Sequence, residues 1–197
     1  MKKMKLIIPF VFVILIFTTY CAYASEILQS LISIGVAPSD LSEQDMNKVI
    51  TRGQYAGMVA RLLNPTDMPA TKTRFADVDE KSENSSEIEY LASCGFVNGA
   101  GENTFAPDND LDWNTAIHVL IQILGYDEIA TYQGSSTQAY IKLAQDVGLL
   151  KAVRMDTASV TYGQAVDMIH NMLTAKVASP NITMQNGNLC FYTVQRQ

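Results

Sequence analysis

A helix that ends at glycine occurs three times in this chain, and this repeat constrains the fold more than any other feature. The three stretches are ILQSLISIGV (27–36), IEYLASCGFV (88–97) and IKLAQDVGLL (141–150). When Gly35, Gly95 and Gly148 are aligned, mostly apolar residues stand seven, four and one positions before each glycine. This spacing is one face of a helix, and glycine just past the last turn is a typical helix end. The pattern predicts three equivalent helices.

Each glycine is followed by a loop and then by a second predicted helix. These helices lie in ITRGQYAGMVARLLN (50–64), LDWNTAIHVLIQILG (111–125) and VTYGQAVDMIHNMLT (160–174). Thr51, Asp112 and Thr161 are residue types that are preferred at the N-cap of a helix. Gln54 and Gln164 stand three residues after the threonines, which predicts complete capping boxes in the first and third units. The caps are 61 and 49 residues apart, so the unit is a helix–loop–helix of roughly 50–60 residues.

The repeat divides the chain into a mainly α module and a short tail. The predicted module is 25–177, with repeats at about 26–64, 75–126 and 127–176. Polar segments at 64–87 and 126–139 are predicted surface connections between helices. The tail, 178–197, alternates on either side of Asn186-Gly187, which indicates a β-hairpin. Such a hairpin either docks on the helices or begins a further domain.

The first 24 residues are predicted to be a secretory signal peptide. Lys2, Lys3 and Lys5 precede an apolar run at 6–17, and Ala22-Tyr23-Ala24 is a typical cleavage site. The run is too short for a membrane span, which needs roughly 20 apolar residues. Cys21 as a lipoprotein cysteine is the alternative. It is disfavoured because Thr18-Thr19-Tyr20 lacks the small residue that normally stands just upstream. We expect cleavage after Ala24, export, and no membrane association of the mature chain.

The charge of the mature chain disfavours two classes of partner. Loss of the three lysines leaves 11 basic against 20 acidic residues, a net charge of about −9. Such a chain is repelled by nucleic acid and by anionic membranes. An anionic ligand would therefore need a few well-placed cations.

Two cysteines remain after cleavage, Cys94 and Cys190. Cys94 occupies the position before the repeat glycine, where Ile34 and Val147 stand in the other units. It is therefore predicted to be a small buried hydrophobic side chain. A single Cys94–Cys190 disulfide is the alternative, but two free thiols are favoured.

The second repeat carries several motifs in a specific order. They are F-x-D-V (Phe75, Asp77, Val78), a helix ending in L-x-x-x-G (Leu91, Gly95), a G-x-G…T-F-x-P loop (Gly99, Gly101, Thr104, Phe105, Pro107) and the helix start Leu111-Asp112-Trp113-Asn114-Thr115. The first repeat supplies the best helix start, Ile50-Thr51-Arg52-Gly53-Gln54. With these motifs the chain resembles the S-layer homology family over most of its mature length.

The resemblance implies a fold and a ligand. Three repeats would form a pseudo-threefold unit with a central helix bundle, and grooves between neighbouring repeats would bind secondary cell-wall polysaccharide, often through pyruvylated sugars. It also implies that the arginine of the helix start contacts the ligand's carboxylate, which here is Arg52. A helix N-terminus with an arginine is a suitable anion site. The ligand-binding residues expected on this basis are Thr51, Arg52, Gln54, Gly99, Trp113 and Tyr162.

The repeats depart from the family pattern at the cation. Trp113 and Tyr162 stand where the second and third repeats would carry arginine. The tryptophan of the family pattern is replaced by Glu83. Trp113 and Tyr162 could stack on sugar rings or pack against their own loops. Arg52 could instead pair with Glu43 or Asp45, just upstream.

The sequence contains no pattern that predicts catalysis, a metal or another cofactor. Asp108, Asp110 and Asp112 alternate as in a calcium loop, but the glycine and the bidentate glutamate of such a loop are missing. His118 and His170 stand at unrelated helix offsets and are predicted at helix surfaces or boundaries. No nucleophile and base occur in a known arrangement.

We therefore expect an exported, non-catalytic module of a Gram-positive-type cell wall or S-layer. Its partner would be a wall polysaccharide linked to peptidoglycan. Two alternatives remain. One is a degenerate module with a structural role, a protein partner or self-association. The other is the anchor fragment of a larger surface protein.

Overall fold

The computed structural model describes residues 25–63, 73–185 and 188–194, and side chains only as far as residue 178. The predicted signal peptide therefore lies outside the described residues. The chain is mainly helical, as predicted. Its helices are α1 (25–33), α2 (Arg52–Leu63), α3 (Ser85–Ser93), α4 (Trp113–Ile123), α5 (Asp127–Tyr132), α6 (Thr137–Asp146) and α7 (Tyr162–Met172), with a 3-10 turn at Glu43–Asp45. No helix in this part of the chain has the length and apolar character needed to cross a membrane.

The repeat glycines end the outer helices α1, α3 and α6, as predicted. Gly35, Gly95 and Gly148 have φ angles of +74°, +76° and +86°. A residue with a Cβ adopts this left-handed conformation at a cost, which explains why glycine recurs here. After α1, the N–H of Val36 donates to the carbonyl of Leu31 at 2.9 Å, which closes the helix end.

The three repeats meet in a ring of backbone hydrogen bonds just before the inner helices α2, α4 and α7. The N–H of Ile50 donates to Val160, the N–H of Val160 donates to Leu111, and the N–H of Leu111 donates to Ile50, at 3.0, 2.9 and 3.0 Å. All three side chains are fully buried. The residue before each N-cap therefore contacts both other repeats, and the three inner helices begin from one shared centre.

Two of the three repeat junctions continue this backbone pairing. Gly53 N–H donates to the Pro107 carbonyl and Gly163 N–H donates to the Met46 carbonyl, both at 2.9 Å. A Cβ at either glycine would lie 3.1 Å from that carbonyl oxygen. The second repeat has Asn114 at this position. Glycine at the other two positions permits the close approach of the neighbouring loop.

The hydrophobic core lies between the inner and outer helices. Its largest fully buried side chains are Phe105, Leu28, Leu31, Ile50, Met58, Ile88, Leu91, Leu111, Ile117, Leu120, Ile121 and Leu149. In the outer helices, the residues seven and four positions before glycine are buried most completely in the first two repeats. Helix α2 packs on α3, and α4 packs on α6.

The burial prediction for Cys94 is wrong. Cys94 is an exposed free thiol, and Ile34, at the same repeat position, is 59% exposed. This position is the C-cap of α3, where the chain turns away from the core. Val147, at this position of the third repeat, is buried and lines a cavity together with Ile27 of α1. Cys190 lies in the part of the tail whose side chains are not described.

One predicted connection contains helical structure. Residues 126–139, predicted as a surface connection, contain α5 and the first turn of α6. Acidic residues in the first turn of α5, Asp127 and Glu128, favour a helix start there. In the tail, β1 (Val177–Gln185) and β2 (Asn188–Val194) pair antiparallel. The N–H of Ala178 donates to the Leu124 carbonyl at 2.9 Å, so the first residues of the tail contact the helical part.

Candidate functional site

The N-caps that position the candidate residues form as predicted. Thr51 and Gln54 exchange hydrogen bonds at 3.0 and 3.2 Å, and Thr161 and Gln164 do so at 2.8 and 3.4 Å. In the second repeat the Asp112 carboxylate accepts from the N–H of Thr115 at 2.9 Å. The caps fix the first turn of each inner helix, so the residue after each cap points towards the loop of a neighbouring repeat.

Arg52 reaches from the first repeat into the loop of the second repeat. Its Nε donates to the Phe105 carbonyl at 3.0 Å, and its guanidinium carbon lies 4.9 Å from the centre of the Phe105 ring. Its Nη1 and Nη2 make longer bonds, both 3.4 Å, to the Thr115 hydroxyl and the Asn98 carbonyl. Among the described residues Arg52 pairs with neither predicted alternative partner, Glu43 or Asp45, and Asp45 instead binds Lys48 at 2.7 Å.

The Arg52 guanidinium lies at the edge of a cavity of about 220 Å³, which we call the Arg52 pocket. Its wall combines apolar and polar side chains from the first two repeats. The lining residues are Arg52, Tyr55, Ala56, Leu91, Phe96, Val97, Asn98, Gly99, Phe105, Leu111, Asn114, Thr115, His118 and Val119. The pocket therefore brings together two predicted ligand-binding residues, Arg52 and Gly99.

Asp77 holds the loop against which Arg52 rests. Its carboxylate accepts from the N–H groups of Phe105 and Ala106 at 2.8 and 2.7 Å. Phe75, two residues earlier, packs its ring 5.3 Å from that of Phe105. The F-x-D-V motif thus fixes the T-F-x-P loop, and that loop supplies the carbonyl that binds Arg52. The sequence motif contains Asp77, but the sequence alone does not predict this supporting role.

The two carboxylates that act electrostatically on Arg52 are stabilised as anions. Burial opposes ionisation of Asp77, but the two backbone N–H groups and the charge of Arg52 keep its pKa below the ordinary value. Burial also opposes ionisation of Asp112, and hydrogen bonds from Thr115 together with Arg52 lower its pKa. For Arg52 itself, burial lowers the pKa, while Asp112 and Asp77 act in the opposite direction. The guanidinium remains charged at neutral pH.

Low pH is expected to destabilise the loop at Phe105 and Ala106, because protonation of Asp77 weakens the hydrogen bonds that hold this loop. Because its folded pKa is below the unfolded value, the stability it contributes is complete above pH about 4 and is lost as the pH falls through the folded pKa. Urea unfolding at about pH 5 and about pH 2.5 measures this loss. We expect a smaller decrease in Asp77→Asn than in the wild type. An equal decrease in both proteins would contradict the role given to Asp77.

A second cavity, of about 460 Å³, lies where the third repeat meets the first. Tyr162 takes the place of Arg52 there, and Thr51 and Gln54 of the first repeat line the same cavity. Its charged residues include Lys48 and Arg61, but these pair with Asp45 and Glu87 at 2.7 and 3.2 Å. Thr51, Gln54 and Tyr162 are therefore separated from the Arg52 pocket.

Trp113, the other predicted aromatic contact, lines neither cavity. Its indole N–H donates to the carbonyl of Thr157 in the third repeat at 2.9 Å. It therefore joins the second and third repeats, at the position where Arg52 joins the first and second.

His118 is a lining residue that sequence reasoning placed only at a helix surface or boundary. It lines the Arg52 pocket, and its ring lies 4.5 Å from that of Tyr140. Its Nε2 is 3.7 Å from Asp127, which also accepts from the Tyr140 hydroxyl at 2.7 Å. These partners come from α5 and α6, and the sequence carries no pattern that shows their proximity.

Gly99→Ala is expected to disturb the G-x-G loop. A Cβ at Gly99 would lie 2.5 Å from the Thr104 carbonyl oxygen and 3.0 Å from that of Gly101. Both are backbone atoms, so the loop must move, and overpacking of this kind costs about 1–3 kcal/mol. Thermal unfolding measures the loss. Ala100→Ser is the control, because Ala100 is exposed in the same loop. Equal stability of Gly99→Ala and the wild type would show that the loop adapts freely.

Part of this chain is similar to known proteins. A model of the S-layer homology domain matches residues 74–112, a range that contains Asp77, Gly99 and Phe105. A "Cell surface protein" of Thermoanaerobacter kivui is 25% identical over 114 residues, which cover 56% of this chain and 14% of that protein. A "Middle cell wall protein" of Brevibacillus brevis is 21% identical over 134 residues, which cover 66% of this chain and 12% of that protein. The matched region is thus a small part of each relative. Over residues 74–112 this chain is similar to the S-layer homology domain.

Proposed function

We propose that this chain is an exported, non-catalytic module that attaches to the bacterial cell wall. Its ligand is an acidic secondary cell-wall polysaccharide, of the pyruvylated-sugar type, bound in the Arg52 pocket. The similarity to the S-layer homology domain, to a cell surface protein and to a middle cell wall protein supports a location at the cell surface. The observation that carries the proposal is that the Arg52 guanidinium, at the pocket, bonds only neutral acceptors among the described residues.

Arg52 is half-buried, and within the described residues its contacts are with neutral acceptors. Among the residues that the structure describes, no carboxylate lies within ion-pair distance of its guanidinium, whereas Arg61 and Arg74 hold Glu87 and Glu89 at 3.2 and 2.8 Å. Two of its three hydrogen bonds are long, at 3.4 Å. Arginine binds a carboxylate with two parallel hydrogen bonds that are shorter and stronger than these. A ligand carboxylate would therefore complete the coordination of Arg52.

The remaining wall of the pocket suits a sugar ring. Phe96, which is half-buried, provides apolar surface on which the C–H face of a pyranose can pack. Asn114 and the backbone around Asn98 and Gly99 provide polar groups for its hydroxyls. A pocket with apolar walls and a few polar groups is typical of small-ligand sites.

Co-sedimentation with purified cell-wall sacculi tests the proposal. We expect the mature chain to sediment with sacculi that retain their secondary polysaccharide and to stay in solution after that polysaccharide is removed chemically. Equal sedimentation with both preparations would assign binding to peptidoglycan itself and would overturn the proposal.

A second candidate is a structural or protein-interaction module. Two hydrogen bonds between repeats favour it: Arg52 donates to the Phe105 carbonyl, and Trp113 donates to the Thr157 carbonyl. In that case Arg52 joins two repeats and binds no ligand. Stable self-association of a protein that does not bind sacculi would support this alternative. A larger surface protein with this module as its anchor is a further proposal, because the matches cover only 14% and 12% of the relatives.

A further inference from the structure

The wall of the Arg52 pocket contains two residues that can carry a positive charge. Arg52 belongs to α2 and His118 to α4, and no Asp or Glu is among the described residues that line the cavity. The chain as a whole carries 20 acidic against 14 basic residues. The pocket therefore departs from the acidic character of the chain, and its charge favours an anion.

His118 lies one helical turn from a point where Arg52 contacts α4. The Arg52 Nη1 donates to the Thr115 hydroxyl at 3.4 Å, and Thr115 stands three residues before His118 in α4. Residues at this spacing are neighbours on one face of a helix, with Cβ atoms about 5–6 Å apart. Asn114, four residues before His118, lines the pocket as well. One face of α4 therefore brings His118 to the same cavity as the Arg52 guanidinium.

Contacts with α5 and α6 hold the His118 ring. The ring lies 4.5 Å from that of Tyr140. Its Nε2 is 3.7 Å from Asp127, which also accepts from the Tyr140 hydroxyl at 2.7 Å. The His118 side chain is 31% exposed. It is therefore positioned by its neighbours and still accessible to solvent and to a ligand in the pocket.

Histidine is the side chain that ordinarily changes its charge between pH 5 and 8. A protonated His118 donates from both ring nitrogens and adds a positive charge to the pocket. A neutral His118 leaves Arg52 as the single charged side chain on the described wall of the cavity. The two protonation states of His118 thus offer an anion two different sites.

We propose that His118 is a second cationic contact for the acid group bound at Arg52, and that it strengthens ligand binding at mildly acidic pH. The inference rests on the proposed function, because it assigns a further residue to the same site. A carboxylate has two oxygens that each accept hydrogen bonds, so one can bind Arg52 while the other approaches His118. Attachment to the wall is then stronger at about pH 5.5 than at about pH 8.

The other ionisable groups near His118 and Arg52 do not account for such a pH dependence. They are Tyr55 on α2, Asp77 in the loop before α3, Asp112 at the N-cap of α4, Asp127 on α5 and Tyr140 on α6. Burial raises the pKa of Tyr55 above the ordinary value and that of Tyr140 to about 12. Hydrogen bonds and Arg52 keep the pKa values of Asp77 and Asp112 low despite burial. Carboxyl groups ordinarily titrate near pH 4, which leaves His118.

Calorimetric titration of the mature protein with a pyruvylated methyl glycoside tests the proposal. The carboxylate of this probe is ionised at about pH 5.5 and at about pH 8, because carboxyl groups titrate at lower pH. We expect binding about 3- to 10-fold tighter at the lower pH, the gain from one additional partly exposed hydrogen bond. The methyl ester of the same glycoside, which has no charge, should show no such gain.

Two histidine variants separate His118 from a general effect of pH. His118→Gln should bind the probe with the same affinity at both pH values, close to that of the wild type at about pH 8. His170→Gln is the matched control, because His170 is the other histidine of the chain and lines a different cavity. It should keep the full pH dependence. A pH dependence that persists in His118→Gln overturns the proposal.

NMR of the histidine rings provides a second measurement. Protonation and ligand binding are linked, so a ligand that prefers the protonated ring must make His118 titrate at a higher pH in the complex than in the free protein. The His170 ring should titrate equally in both. An unchanged His118 titration in the saturated protein overturns the inference, and binding that is tight but independent of pH overturns it while the proposed function stands. No binding of the probe at either pH overturns both.

Discussion

Ile50→Ala is expected to lower the free energy of unfolding by about 2–5 kcal/mol, the range for truncating a buried isoleucine where the surroundings relax little. Ile50 is fully buried, and its backbone bonds both Leu111 and Val160. The cavity left by the shortened side chain would therefore disturb the packing of all three repeats. Urea or thermal unfolding measures the loss, and we expect a single cooperative transition in both proteins.

Val49→Ala is the matched control for this substitution. Val49 is the preceding residue, also β-branched, and is 42% exposed. We expect Val49→Ala to lower the free energy of unfolding by less than about 1 kcal/mol. If both substitutions cost the same, the buried Ile50 side chain does not stabilise the centre where the three repeats meet.

Arg52→Gln is expected to lower the affinity for acidic wall polysaccharide by at least about 10-fold. A hydrogen bond to a charged group contributes about 1.5–3 kcal/mol, and 1.4 kcal/mol corresponds to a factor of ten. Glutamine keeps a donor that can reach the Phe105 carbonyl, so the effect reports mainly the lost charge. Binding to immobilised polysaccharide measures it, with unfolding curves to verify the fold.

Arg154→Gln is the control for charge alone. Arg154 is exposed in the third repeat and does not line the Arg52 pocket. If both variants bind with the same reduced affinity, the polysaccharide responds to net charge, and the Arg52 pocket is not its site.

Local chemistry explains why much of the fold could be predicted from the sequence. The glycine stops and the threonine caps depend on residues within one turn of a helix, so their spacing suffices to place them. Burial beyond the last turn is different, because it depends on what packs against the helix end. Cys94 and Ile34 match the spacing, yet both are exposed.

The candidate site could be predicted only in part. The resemblance identified Arg52 and Gly99, which the fold brings into one pocket. The carbonyl that binds Arg52 belongs to Phe105, 53 residues away, and Asp77 holds it in place from yet another segment. Spacing within one repeat carries no information on such contacts between repeats. For the same reason Thr51 and Tyr162, predicted in one set with Arg52, line a different cavity.

The central claim is that Arg52 binds an acid group of the wall polysaccharide, and a calorimetric cycle tests it most directly. Wild type and Arg52→Gln are each titrated with the isolated polysaccharide, native and with its acid groups removed chemically. We predict that removing the acid groups weakens wild-type binding by at least about 10-fold and changes Arg52→Gln little, because the two changes delete the same interaction. An equal loss of affinity in both proteins would show that the acid groups are recognised elsewhere, and would contradict the account.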